Sequence, residues 1–321
     1  MILCFGELLI DFLNFNQIQD DKTIPTTRLN EFRQYPGGAP ANVAAAIGKL
    51  GANARFLGQV GNDQFGRFLT QAMNQYNVDT SFLYTHPSAP TPLAFVFLDE
   101  HKERTFEFYR TNTADVVFSE EQLVDGAFDG VSIFHFCSNT LTDDSIFNVT
   151  IKAIEKAKAL GCLISFDVNL RHNLWVDKQV DINRIQTALK LADVIKVSKD
   201  ESQWIIDRGF DINAWLESAS VVWQTDGAND IEVFTKTDQF IMQAKKVDIV
   251  DSTAAGDAFS AGLLMALNQF ELDLIKGGSL TQDDIKKITK FASGCGAVAV
   301  SKLGALPSLP TMQDVQQDWG F

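Results

Sequence analysis

Basic side chains are under-represented: 27 Lys and Arg stand against 41 Asp and Glu, giving a formal charge of −14 in 321 residues. The isoelectric point lies near 4.7. A nucleic-acid polymer or an anionic membrane surface needs a basic footprint, so neither is expected as a partner. Cysteine is sparse as well. Cys4, Cys137, Cys162 and Cys295 are far apart and form no CxxC pair, which removes zinc knuckles and dithiol redox motifs. Each lies in an apolar run, where a buried reduced thiol is expected. His86, His101, His135 and His172 show no HExxH-type ligand spacing. No apolar run approaches the ~20 residues that span a bilayer. The opening Met1–Glu7 segment lacks a basic start, and Glu7 and Asp11 interrupt it. A soluble, cytoplasmic chain is the expectation. GxxxxGK[ST], HRD/DFG and GxSxG are missing too.

What remains is ordinary globular material, 45% hydrophobic and 21% charged. Short β-type runs alternate with helical patterns for most of the length. Strands are expected at 2–5, 54–60, 132–136, 163–167, 194–197 and 221–225. Helices are expected at 41–50, 65–75, 143–160, 182–191, 199–207, 256–268 and 281–301. The alternation predicts an α/β fold with a mainly parallel central sheet and helices on both faces. Two segments break the rhythm, at about 12–33 and 91–110. In the second, Thr91–Leu98 and Arg104–Tyr109 read as strands around a polar turn. Together they predict a small β-sheet lid, or an antiparallel extension of the sheet edge. An exposed β-layer of this kind also offers a surface for a homodimer.

Two stretches carry candidate chemistry. Gly37-Gly38-Ala-Pro-Ala-Asn42 precedes an Ala-rich helix. Paired glycines let backbone approach a ligand closely, Pro40 suits a first helical turn, and Asn42 can both donate to and accept from hydroxyl groups. A Gly-rich turn into a packed helix would look the same. Asp251-Ser-Thr253-Ala254-Ala255-Gly256-Asp257 feeds small residues into a second helix start. Its N–H groups and dipole form an anion cradle without a cation. Asp257 stands where a general base would take a hydroxyl proton, though a first-turn acid balancing the dipole fits as well.

Taken together, the GGxxxN and D[ST]xxAGD boxes resemble the paired signatures of the ribokinase-like (PfkB) carbohydrate kinases. The likeness covers nearly the whole chain. It implies a three-layer ribokinase-like fold in one kinase domain over 1–321, with the lid segments inserted. Gly6–Asp11 resembles the opening strand, whose Asp11 would bind sugar hydroxyls. Phe166–Arg171 resembles DxNxR, Ser198–Glu201 stands at NxxE, and Thr225-Asp-Gly227 at the nucleotide loop. The spelling GGAPANVA, with NLR…LW and RTFEFYR, is most similar to bacterial fructokinases.

The resemblance implies transfer of the γ-phosphoryl group of MgATP to the 6-hydroxyl of D-fructose. Asp257 would be the base, and the Ala255-Gly256-Asp257 helix start, preceded by Ala254, would form the anion hole with Arg171 as a local cation. Asp11, Gly37, Gly38, Asn42, Phe106, Arg110 and Asp257 would hold the sugar. Ser198, Glu201, Thr225, Gly227, Gly256 and Ser293 would hold the nucleotide, with Glu201 near Mg²⁺ through water. Asp251 and Thr253 would mark a monovalent-cation site for K⁺. Four positions depart from the family pattern: Ala254 for glycine, Ser198 for asparagine, Asp230 for a nucleotide-loop glycine, and Ser293 for asparagine. A 2-keto-3-deoxygluconate kinase and a non-catalytic sugar-binding protein on the same scaffold remain alternatives.

Overall fold

The computed structural model describes residues 1–14, 31–98, 104–269 and 280–319. Most of the expected 12–33 segment and the polar turn after Leu98 lie outside the described residues.

The strands are β1 (Ile2–Phe5), β2 (Leu9–Asn14), β3 (Phe32–Gly37), β4 (Ala54–Gly61), β5 (Val78–His86), β6 (Leu93–Leu98), β7 (Arg104–Tyr109), β8 (Ile133–Cys137), β9 (Leu163–Asp167), β10 (Val194–Ser198), β11 (Val221–Thr225), β12 (Asp230–Thr235) and β13 (Gln239–Gln243). The α-helices are α1 (Ala39–Lys49), α2 (Gln64–Gln75), α3 (Asp144–Ala159), α4 (Ile182–Leu191), α5 (Lys199–Ile206), α6 (Ile212–Trp215), α7 (Ala255–Gln269), α8 (Gln282–Val300), α9 (Ala305–Ser308) and α10 (Met312–Trp319).

Nine strands form one sheet in the order β13-β12-β11-β10-β9-β8-β1-β4-β5. All neighbours from β11 to β5 are parallel, and β12–β13 is an antiparallel extension. Central strands such as β1, β8 and β9 are buried at every residue. That is why they read as unbroken apolar runs rather than alternating ones. Their side chains still alternate in direction. Ile2 and Cys4 join a core with α1, α7 and α8 on one face. Leu3 and Phe5 join a second core with α3 and α4 on the other. This is the three-layer α/β arrangement the sequence led us to expect.

The second sheet has four strands, in the order β3-β2-β6-β7. Strands β2 and β3 are antiparallel, β2 and β6 parallel, and β6 and β7 antiparallel. It is therefore a separate layer rather than an edge extension of the large sheet. Its register puts Asp11, Tyr35, Ala94 and Phe108 on one face, with Leu13, Val96 and Phe106 beside them. Phe12, Phe95 and Tyr109 lie on the opposite face.

Candidate active site

The parallel strands end together, and the sequence motifs sit at those ends, where open α/β sheets bind ligands. Helix α1 starts at Gly38, whose φ of 106° suits glycine and few other residues. A Cβ at Gly38 would meet the Glu7 carbonyl oxygen at 2.4 Å, and one at Gly37 would meet the Asp11 carboxylate at 2.1 Å. Both glycines are thus fixed by close approach. Asp11 is buried beside this turn. Glu7, which sequence reasoning treated only as a break in an apolar run, is buried as well. Its Oε1 accepts from the Ala39 N–H and from Asn139 Nδ2, both at 2.9 Å. Burial pushes its carboxyl pKa up, against the nearby Arg110 and these hydrogen bonds.

The two boxes meet at one bond: Asn42 Nδ2 donates to Asp257 Oδ2 at 2.8 Å, across 215 residues of sequence. The Asn42 Oδ1 is buried and has no hydrogen-bond partner among the described residues, an acceptor aligned with the needs of a bound hydroxyl. Asp257 lies in the first turn of α7 and is only 7% exposed. Asn169 Nδ2 approaches its other oxygen at 3.4 Å. Asn169 holds φ at 37°, a left-handed conformation that asparagine tolerates better than most residues. Burial is the main reason the Asp257 pKa is raised to about 7; Asn42, Lys196 and Arg171 oppose the rise and Asp167 adds to it. Ala254 is buried and is not among the non-glycine residues with positive φ. Alanine is accommodated there without backbone strain.

Beside Ala255 and Gly256 opens a cavity of about 190 Å³, lined by Thr225, Gly227, Ile249, Phe259 and Ser293 among others. Four of the expected nucleotide residues, Thr225, Gly227, Gly256 and Ser293, therefore face one space. Asp230 stays exposed at the start of β12. Ser198 caps α5, and Glu201 completes the capping box. Glu201 Oε2 accepts from the Ser198 N–H at 2.8 Å and Oε1 from the Leu170 N–H at 2.7 Å. It thereby fixes the backbone next to Arg171, whose side chain is exposed. Asp251 accepts from the Thr253 backbone N–H at 2.9 Å and from the Gly304 N–H at 2.8 Å. Both Val250 and Asp251 donate to the Val300 carbonyl. These bonds tie the loop before α7 to the end of α8.

Arg110 does not hang from the lid as the sequence suggested. It is buried at the end of β7, pairing through Nε with Asp115 and donating to Thr142 Oγ1 and the Asn139 carbonyl, both at 2.9 Å. Phe106 stacks on Phe108 with ring centroids 6.0 Å apart, on the sheet face that carries Asp11. Its carbonyl accepts from Asn173 Nδ2 at 2.9 Å. Phe95, a candidate for the same role, points from the other face and stacks on Phe12.

The match to a family model decides the class: the description "pfkB family carbohydrate kinase" fits residues 1–312. The chain belongs to this family. Probable fructokinase-7 of Arabidopsis thaliana is 36% identical over 326 residues, covering 98% of this chain and 91% of that protein. Fructokinase-2 of Zea mays is 35% identical, covering 98% and 93%. Among solved structures, fructokinase from Xylella fastidiosa with bound ATP has a TM-score of 0.88 at 35% identity, covering 100% of this chain and 99% of that one. A fructokinase double mutant from Vibrio cholerae O395, in a form with fructose, ADP and potassium bound, has a TM-score of 0.85 at 32% identity, covering 99% and 97%. The fold is that of the family's sugar kinases, and this chain is a carbohydrate kinase by membership.

Proposed function

We propose that this protein is an ATP-dependent fructokinase, transferring the γ-phosphoryl group of MgATP to the 6-hydroxyl of D-fructose within one kinase domain. The observation that carries the proposal is the buried Asp257 carboxylate, held by Asn42 at the start of α7 beside the cavity that Thr225, Gly227 and Ser293 line. Raised to about 7 by burial, Asp257 is a base poised near neutral pH, where proton transfer from a hydroxyl is most effective. Asp11, Asn42 and the Gly37–Gly38 turn hold the sugar, the orphaned Asn42 Oδ1 accepting one of its hydroxyl protons. The α7 start presents the N–H groups of Gly256 and Asp257 to charge developing on the transferred group, the Ala255 N–H donating to the Ser252 carbonyl at 3.3 Å, and Arg171 adds a cation from the exposed side. Phosphoryl transfer requires mainly such positioning and electrostatic stabilisation.

Magnesium would supply positive charge that offsets the phosphates, and Glu201 stands where it would be held through its water shell. Both Glu201 oxygens already accept backbone N–H bonds, which fits a role behind the metal's water shell rather than direct ligation. Asp251 and Thr253 offer hard oxygen donors of the kind that suit K⁺. Four free, buried cysteines support placement in the reducing cytoplasm. Phe12, Phe32, Phe95, Phe97 and Tyr109 form a connected aromatic face on the small sheet, and we assign it to a homodimer.

The test is a substrate panel of fructose, 2-keto-3-deoxygluconate, ribose and nucleosides with MgATP, run on the wild type and on Asp257→Asn. Fructose should be phosphorylated fastest, and the variant should lose about 10²- to 10⁴-fold in kcat while still binding fructose by calorimetry. Turnover of another sugar alone overturns the substrate, a near-wild-type variant overturns the base, and fructose binding without turnover by the wild type marks a non-catalytic binder.

A further inference from the structure

Directly beneath the start of α7 lies a lysine that no motif marks. Lys196, in the middle of the otherwise apolar strand β10, has a side chain only 11% exposed. Its Nζ donates to both oxygens of Asp167 at 3.1 and 3.2 Å. Asp167, 2% exposed, is its register neighbour on β9. The same carboxylate accepts from Ser260 Oγ on α7 at 2.9 Å. The ammonium group sits against Gly256 so closely that a Cβ there would be 3.1 Å from Nζ. Gly256 and Ser260 are four residues apart and therefore stacked on one helix face. The ion pair thus runs lengthwise under the first turn of α7, bonded to Ser260 and packed on Gly256.

We propose that the Lys196–Asp167 pair is a positioning unit for phosphoryl transfer: it seats the first turn of α7 on the sheet and balances the charge felt by the Asp257 carboxylate. The proposal rests on Asp257 acting as base. A buried pair of this kind is not a cheap source of stability, since desolvation offsets most of its attraction. Its geometry has a different consequence. Lys196 and Asp167 act on Asp257 with opposite signs, so their sum is small only while both are present. The other groups facing Asp257 are Asn42 from α1, Asn169 and Arg171 from the loop after β9, and Cys137 from β8.

The test reads the Asp257 titration directly, by carboxyl ¹³C NMR of the free protein with Asp257→Asn for assignment, alongside the pH profile of kcat/KM. Lys196→Met, which leaves Asp167 without its cation, should move the Asp257 midpoint to higher pH by at least about 0.5, and lower kcat about 10-fold or more with the fructose KM within about 3-fold. Asp167→Asn should move the midpoint the other way. The double variant should return it to near the wild-type value, and Ser260→Ala, which keeps both charges, should leave it in place. A purely structural role predicts losses of stability and rate with no such sign reversal. Midpoints that stay put, or that move together in the two single variants, overturn the proposal. Should Lys196→Met fail to fold, a downward movement in Asp167→Asn that the double variant reverses still supports it, and no movement overturns it. Because the titration needs no substrate, its outcome is separable from a failure of fructose to be phosphorylated.

Discussion

The two sheets of this molecule solve different problems. The nine-stranded sheet is covered on both faces by helices, and its parallel strands β9 and β10 hold Asp167, Lys196 and, through α7, Asp257 in a buried frame. The four-stranded sheet has one face that carries Asp11 and the Phe106–Phe108 stack, and another that carries a row of aromatic rings. A protein interior packed like a crystal can place a base to within a fraction of an ångström. A thin layer attached at a few points can instead open for a sugar and close over it. On this comparison, changes in the large sheet should appear in kcat and in the titration of Asp257. Changes on the inner face of the small sheet should appear in KM, and changes on its outer face in neither.

The largest expected effect that separates the sheets is at Asp11. Asp11→Asn removes a buried carboxylate acceptor beside Gly37 while leaving Asp257 and its frame intact. A hydrogen bond to a charged group is worth about 1.5–3 kcal/mol, so KM for fructose should rise roughly 10- to 100-fold, with kcat changed less. Steady-state kinetics decide this. An equal fall in kcat with KM unchanged would place Asp11 in the transition state and break the division of labour.

The next effect concerns stability and has a defined sign. The folded-state pKa of Asp257 is about 7, above the ordinary value of 3.8. The folded protein therefore holds a proton there that the unfolded chain releases near pH 4. That contribution is complete below about pH 4 and is lost as pH rises through about 7. Asp257→Asn has no such proton to lose. Thermal melts should show the variant gaining on the wild type between pH 5 and pH 8, to a Tm a few degrees higher at pH 8. A constant difference across that range would mean the carboxylate is not penalised by burial.

How the two sheets appeared in the sequence follows from the same physics. Strands buried on both faces write continuous apolar runs, so β1, β9 and β11 were readable to the residue. Helices with a clear apolar period, such as α4, were too. The edge strand β5 and the hairpin β12–β13 carry mixed, half-exposed residues and gave no such signal. The small sheet was legible as two strands and a suspicion, because its β2–β6 pairing joins distant segments in parallel and no local pattern encodes that. In the site, the two boxes were legible because glycines and helix starts have local signatures. Lys196 was not: one lysine in an apolar strand looks like an edge residue until Asp167 and Ser260 are seen around it. Arg110 misled for the opposite reason, being adjacent to lid aromatics in sequence while Asp115 draws it inward.

The smallest effect on chemistry should come from the outer face of the small sheet, where Tyr109 is 55% exposed and packs edge-to-face on Phe95. Aromatic rings this connected on one sheet face bury readily against a second copy. Tyr109→Lys puts a charge into the proposed homodimer contact without touching the residues that share a face with Asp11. Sedimentation velocity should show self-association weakened, while kcat and the fructose KM of the variant stay within about 2-fold of wild type at concentrations where the wild type is also dissociated. If kinetics change at matched oligomeric state, the two faces of the layer are coupled through its strands. The inner face would then owe its geometry to the outer one, and the small sheet would be a single mechanical element rather than two surfaces back to back.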